Sequence, residues 1–257
     1  MKNISKRVMA AVLVLIMTIG MVGNAYAVPF VDVGVADWFY EDVRYVFERD
    51  VMSGTSVETF NPNMPVTRAM AVQVLYNRAG RPGFGIRSNG FTDVSEGAWY
   101  YDAVVWAVTN GIASGVGGNI FAPDENISRE DLAVMLNNYA EYSRVRLPAL
   151  RDGARFADDA DIRSYAREAI DRFYRAMIIG GRPDGSFDPQ GSATRAELAA
   201  MLAGFIRFSV NSQNPPDDEP LPMPEYGYPI EEFPVMPVYG IPLDEEFIMP
   251  PYGFPSP

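Results

Sequence analysis

Three arginines in this chain each follow a hydroxyl residue: Thr67-Arg68, Ser128-Arg129 and Thr194-Arg195. A hydroxyl ahead of an apolar-periodic run is a helix N-cap, since its oxygen accepts from a backbone N–H of the first turn. An arginine in that turn stands against the helix dipole, at a cost of roughly 0.3 to 1 kcal/mol when exposed. The same choice made three times asks for a reason. A guanidinium fork beside the N–H groups of a helix start can receive an anion through charge-assisted hydrogen bonds worth ~1.5 to 3 kcal/mol each. The structural alternative is that each arginine pairs with an acid of its own or a neighbouring segment, such as Asp32, Asp93 or Asp158, and only fixes the fold.

Other residues recur with them. A large aromatic, Trp38, Trp99 or Tyr165, stands 30 positions before each arginine. Such a ring either joins the core or offers an edge for stacking on a sugar. Gly54, Gly115 and Gly181 are expected at backbone positions of positive φ, with close approach to a ligand as the second reading. The chain has no His and no Cys, so the usual zinc ligands and histidine-dependent nucleophiles are missing, and no cofactor or metal site is expected. Gly180 to Gly185 lacks the Gly-Lys-Ser/Thr ending of a phosphate loop, and Asp158, Asp159 and Asp161 lack the glycine and distal glutamate of a helix-loop-helix calcium site.

The elements that must position these residues form three copies of one unit. The copies open with Phe30-Val31-Asp32-Val33, Phe91-Thr92-Asp93-Val94 and Phe156-Ala157-Asp158-Asp159. Each continues through its aromatic, its glycine and an aromatic-x-Pro (Phe60-Asn61-Pro62, Phe121-Ala122-Pro123, Phe187-Asp188-Pro189) before the hydroxyl-arginine pair. Apolar residues five, eight and nine positions after the aromatic predict a first helix: Val43, Val46, Phe47; Val104, Ala107, Val108; Ile170, Phe173, Tyr174. Those three, four and seven after the arginine predict a second: Ala71, Val72, Leu75; Leu132, Ala133, Leu136; Leu198, Ala199, Leu202. Asp131 and Glu197 stand where a capping box wants an acid after Ser128 and Thr194, whereas Met70 leaves the Thr67 cap half made. One unit buries too little apolar surface alone, so an all-α fold is expected, with three helix-loop-helix units sharing one pseudo-threefold core.

Residues 1–27 read as a signal peptide, with Lys2, Lys6 and Arg7 before an apolar run and Ala25-Tyr26-Ala27 as the cleavage pattern, so no stable membrane insertion is expected. The units span 28–85, 86–150 and 151–212. Residues 213–257 form an acidic Pro-rich tail, holding 13 of the chain's 21 prolines and a 13-residue repeat marked by Tyr226, Tyr239 and Tyr252. Its composition predicts a disordered, semi-rigid spacer whose Tyr, Phe, Met and Ile suit docking of a protein partner. The formal charge of −12 divides into +3 for the signal, −6 from Val28 to Asn211 and −9 beyond. Such a chain repels nucleic acid at long range, and an anionic partner must be caught in local cationic pockets.

The repeated Phe-x-Asp-Val opening, the aromatic, the glycine loop and the Thr-Arg-Ala-Glu turn resemble the S-layer homology family over about Phe30 to Phe205. Thr194-Arg195-Ala196-Glu197 matches that turn residue for residue, while Thr67-Arg68-Ala69-Met70 and Ser128-Arg129-Glu130-Asp131 match in part. The resemblance implies a Trp-containing first helix and one compact, non-enzymatic module. It implies that the module anchors an exported protein to the bacterial cell wall by binding an anionic, pyruvylated secondary wall polysaccharide in grooves between units. The binding residues it points to are Arg68, Arg129, Arg195, Trp38, Trp99, Gly54, Gly115, Gly181, Asp32, Asp93 and Asp158. Tyr165 and Asp159 depart from the pattern, which favours the grooves relying on Arg68 and Arg129. A wall glycan hydrolase and a surface-layer assembly subunit are the alternatives; the first lacks an unassigned segment for a catalytic domain, the second the additional large domain such lattices usually require.

Overall fold

The computed structural model describes residues 28–83 and 90–213. The signal-peptide reading and the tail from residue 214 lie outside the described residues. Six α-helices are described: α1 (Tyr40–Phe47), α2 (Arg68–Arg78), α3 (Tyr101–Thr109), α4 (Arg129–Tyr142), α5 (Arg167–Arg175) and α6 (Arg195–Gln213). A short 3-10 turn, Asp159–Asp161, precedes α5, and among the described residues there is no strand beyond isolated bridges.

Each unit is a helix, a loop and a helix, and the expected faces are the ones that pack. Val43, Val46, Val104, Ala107, Ile170 and Phe173 are buried, as are Ala71, Val72, Leu75, Leu132, Ala133, Leu136, Leu198, Ala199 and Leu202. The second helix of each unit packs on the first helix of the next, α2 on α3, α4 on α5 and α6 on α1, so the series closes into a ring. No unit can complete its core without both neighbours, the sharing that a unit of this size requires.

A ring of backbone hydrogen bonds ties the units where the second helices begin. The N–H of Val66 donates to Ala193 O (2.8 Å), Ala193 N–H to Ile127 O (3.0 Å), and Ile127 N–H to Val66 O (2.9 Å). At the other end of the core Phe205 of α6 lies 5.6 Å from Tyr139 of α4 and 6.4 Å from Phe173 of α5, joining two units through aromatic contacts.

Two expectations change. The large aromatic is not in the first helix: Trp38 and Trp99 lie in a turn that ends two residues later at Tyr40 and Tyr101. Gly54, Gly115 and Gly181 do not have positive φ. They are needed for space instead, because a Cβ on Gly54 would lie 2.5 Å from the Phe30 ring, and one on Gly115 2.5 Å from the Phe91 ring. The repeated left-handed position of the loop is the middle member of aromatic-x-Pro, Asn61 (φ 57°), Ala122 (φ 59°) and Asp188 (φ 57°).

Candidate functional site: three clefts between neighbouring units

The opening aspartate of each unit explains how aromatic-x-Pro holds its left-handed residue. Asp32 accepts from the N–H groups of Phe60 (2.8 Å) and Asn61 (2.7 Å), Asp93 from Phe121 (2.9 Å) and Ala122 (2.7 Å), and Asp158 from Phe187 (2.7 Å) and Asp188 (2.7 Å). Two N–H bonds to one carboxylate hold the middle residue in a conformation that costs a non-glycine residue energy. Burial pushes the Asp93 carboxyl up, but the N–H groups of Phe121 and Ala122 outweigh it and hold the pKa below the ordinary carboxylate value. These aspartates clamp backbone within their own units and make no ion pair with the turn arginines.

The clamp aims the carbonyl of the aromatic at the preceding unit, where an arginine meets it. Arg68 Nε donates to Phe121 O (2.9 Å), Arg129 Nε to Phe187 O (2.7 Å) and Arg195 Nε to Phe60 O (2.7 Å). The guanidinium carbons lie over those same rings, at 4.9, 4.8 and 4.4 Å from the centroids. Arg68 Nη2 also donates to Ser114 O (2.6 Å) and Arg195 Nη2 to Ser53 O (2.6 Å), the carbonyls just ahead of Gly115 and Gly54. Every turn arginine thus crosses a cleft, from unit 1 to unit 2, unit 2 to unit 3, and unit 3 to unit 1.

The helix starts are less open than the sequence suggests. The first two N–H groups of α2 donate to Glu125 O and Pro123 O, those of α4 to Gly191 O and Pro189 O, and those of α6 to Met64 O and Pro62 O. The N-cap oxygens of Thr67, Ser128 and Thr194 accept from Met70, Asp131 and Glu197 N–H. The carbonyls come from the next unit in the ring, which no local pattern reveals. The first three N–H groups of each second helix are thus taken, and the cationic donors at the boundaries between units are the guanidinium groups. Glu197 closes its capping box on Thr194 N–H (2.8 Å), whereas the shorter Asp131 takes the Ser128 hydroxyl (2.7 Å) instead.

The three guanidinium groups differ in how their charge is met. Arg129 is 4% exposed and pairs with Glu197 at 2.5 Å. Arg195 is 6% exposed, yet among the described residues no carboxylate lies within ion-pairing distance of it, and Asp32 acts only at longer range. Arg68 is half-buried and likewise lacks a direct carboxylate, with Asp131, Glu125 and Asp93 acting at longer range. Burial lowers the pKa of all three, opposed in Arg129 by Glu197.

The aromatics also diverge. Trp38 is 9% exposed and belongs to the core, while Trp99, at the matching place in unit 2, is 63% exposed. Tyr165 is 50% exposed and its hydroxyl donates to Asp131 (2.7 Å) across the cleft between units 2 and 3. Burial and that hydrogen bond push the Tyr165 pKa up to about 12.

The same cleft contains a group that sequence reasoning passed over. Glu130 is fully buried and accepts from Arg163 Nη1 (2.7 Å), Arg163 N–H (3.1 Å) and Gln190 Nε2 (3.3 Å). The signal for it is a break in the threefold pattern, since Ala69 and Ala196 occupy the matching positions.

The chain's repeats match the family model described as S-layer homology domain at residues 29–71, 90–133 and 155–199. It is 30% identical over 180 residues, 70% of its length, to an endoglucanase of Bacillus sp. (strain KSM-635). It is 27% identical over 175 residues, 67% of its length, to the surface-layer 125 kDa protein of Lysinibacillus sphaericus. Against an S-layer protein of Bacillus thuringiensis subsp. finitimus the figures are 25% over 203 residues and 78%. The match covers only 19%, 14% and 24% of those three relatives. With three tandem matches that together take in half of its residues, the chain belongs to the S-layer homology family.

Proposed function

We propose that this chain is a non-catalytic anchor at the cell surface, holding an anionic, pyruvylated secondary polysaccharide of the cell wall in the clefts between its units. The observation that carries the reading is the pair of guanidinium groups, Arg68 and Arg195, that sit in clefts without a carboxylate partner among the described residues. A buried or half-buried charge left uncompensated is costly, and an acid on a sugar would relieve it. The sequence pattern favours Arg68 and Arg129, but Arg129 already has Glu197. Arg68 and Arg195 are therefore the preferred receivers.

Trp99 adds a second element. Its exposed indole stands eight residues after Phe91 in unit 2, the unit that Arg68 reaches, and offers a face to a pyranose ring. One site of this kind holds a sugar acid weakly, but a polymer that engages two clefts at once gains effective concentration. The relatives support a task that does not depend on what the rest of the protein does. One named for hydrolysis and others named for surface layers resemble this chain over similar lengths.

The test is a pull-down with purified cell wall before and after removal of its non-peptidoglycan polymers. Wild type should sediment with untreated wall only. Arg68→Ala combined with Arg195→Ala should lose most binding, roughly 10-fold or more per site, with helical circular dichroism retained. Equal binding by the folded double variant rejects the role of these arginines, and equal binding to stripped wall rejects the polysaccharide.

A further inference from the structure

We infer that the cleft between units 2 and 3 is filled by the protein's own carboxylate, Glu130, so that an anionic polymer is held in the other two clefts only. The inference rests on the function proposed above and sets its valency.

The threefold pattern identifies Glu130 as the intruder. The residue after the turn arginine is Ala69 in unit 1 and Ala196 in unit 3, and both are small enough to leave the cleft wall clear. In unit 2 it is a glutamate, fully buried at the boundary with unit 3. A buried carboxylate persists only when donors surround it. Unit 3 supplies them, the guanidinium from a position that carries nothing comparable elsewhere. Arg163 stands two residues before the aromatic, where the other units have Ala36 and Gly97, and it gives Glu130 both a guanidinium and a backbone N–H. Gln190 follows the proline of aromatic-x-Pro, and its amide also donates to Asp161 O (2.9 Å), which fixes it in place.

The surroundings complete the closure. Asp131, next on the helix, holds the Tyr165 hydroxyl at 2.7 Å, so the ring that could stack on a sugar is tied to the opposite wall. Glu197 pairs with Arg129 from the unit 3 side. Three carboxylates thus crowd the second cleft, each already engaged, and an incoming sugar acid would meet like charge with its donors taken. The first cleft has Ala69 and Met70 where the second has Glu130 and Asp131, and the third has Ala196 at the matching place.

Titration calorimetry with a synthetic monosaccharide carrying a pyruvate ketal reads the valency directly. Glu130→Ala should bind one equivalent more than wild type, because it restores the alanine of the other units while leaving Arg163 and Gln190 as free donors. A photoreactive form of the same sugar, mapped on the wild-type chain by peptide mass spectrometry, should label residues of the first and third clefts and none within 159–167 or 187–191. Unchanged stoichiometry in folded Glu130→Ala, or label in the second cleft of wild type, overturns the inference. If Glu130→Ala does not fold, the wild-type labelling decides alone. No uptake and no label anywhere overturns the proposed function itself.

Discussion

The clefts on either side of unit 2 are built from the same frame and end up chemically opposed. In both, an opening aspartate clamps aromatic-x-Pro and a turn arginine crosses to the aromatic carbonyl. Toward unit 1 a half-buried guanidinium has no direct carboxylate among the described residues, and unit 2 carries an exposed Trp99. The cleft toward unit 3 has a buried ion pair, a buried Glu130 and a tethered Tyr165. Repetition therefore preserves the scaffold, while the residues between the scaffold positions decide how the charge at each boundary between units is met.

The largest effect should come from breaking the cemented cleft. Glu197→Ala takes the direct carboxylate from the buried Arg129 charge and removes an acceptor from Thr194 N–H. Thermal unfolding should report a loss of about 3–5 kcal/mol. Asp131→Ala, the matching change opposite Arg68, should cost less than half as much, since Asp131 makes no direct pair with that arginine. Similar costs for the two would mean that the clefts differ less than their geometry indicates.

A smaller effect should separate the aromatics. Trp99→Ala should leave stability within about 0.5 kcal/mol, because the ring is mostly exposed. It should weaken wall binding by roughly 2- to 10-fold, the range expected for loss of ring stacking. Tyr165→Phe, which removes the tie to Asp131 and the longer hydroxyl contacts with Glu130 and Arg163, should leave wall binding unchanged. Equal losses from the two changes would place the sugar in both clefts.

The smallest effect is a pH dependence of the aspartate clamp in unit 2. The folded pKa of Asp93 is depressed, so its stabilising contribution is fully present above the ordinary carboxylate value and is lost as pH falls through the folded pKa. The melting temperature of wild type should exceed that of Asp93→Asn at neutral pH, and the gap should narrow between about pH 5 and pH 2. A gap that stays constant over that range would assign the effect to shape and not to charge.

Much of the frame was legible because it repeats. Apolar positions spaced along one helical face predicted the packed faces of all six helices, and the hydroxyls before the arginines predicted where α2, α4 and α6 begin. The repeated glycines were recognised as special but for another cause. Their constraint is space between carbonyls of their own loop and the ring of Phe30, Phe91 or Phe156, and the ring is a contact with the opening of the unit that no turn rule anticipates. The left-handed Asn61, Ala122 and Asp188 were missed because each precedes a proline, and nothing local shows that a distant aspartate holds it.

The sequence alone determined three copies of a helix-loop-helix unit, their shared apolar core and the placing of an arginine at each second helix start, because these follow from periodicity and local backbone chemistry. Only the closed ring decided what each arginine faces. An acid placed two residues after one arginine, as Glu197 is after Arg195, neutralises a different arginine, Arg129, across the boundary between units. Charge pairing of this kind depends on which surfaces meet, and in this ring the carboxylate that meets Arg129 lies in another copy of its own pattern.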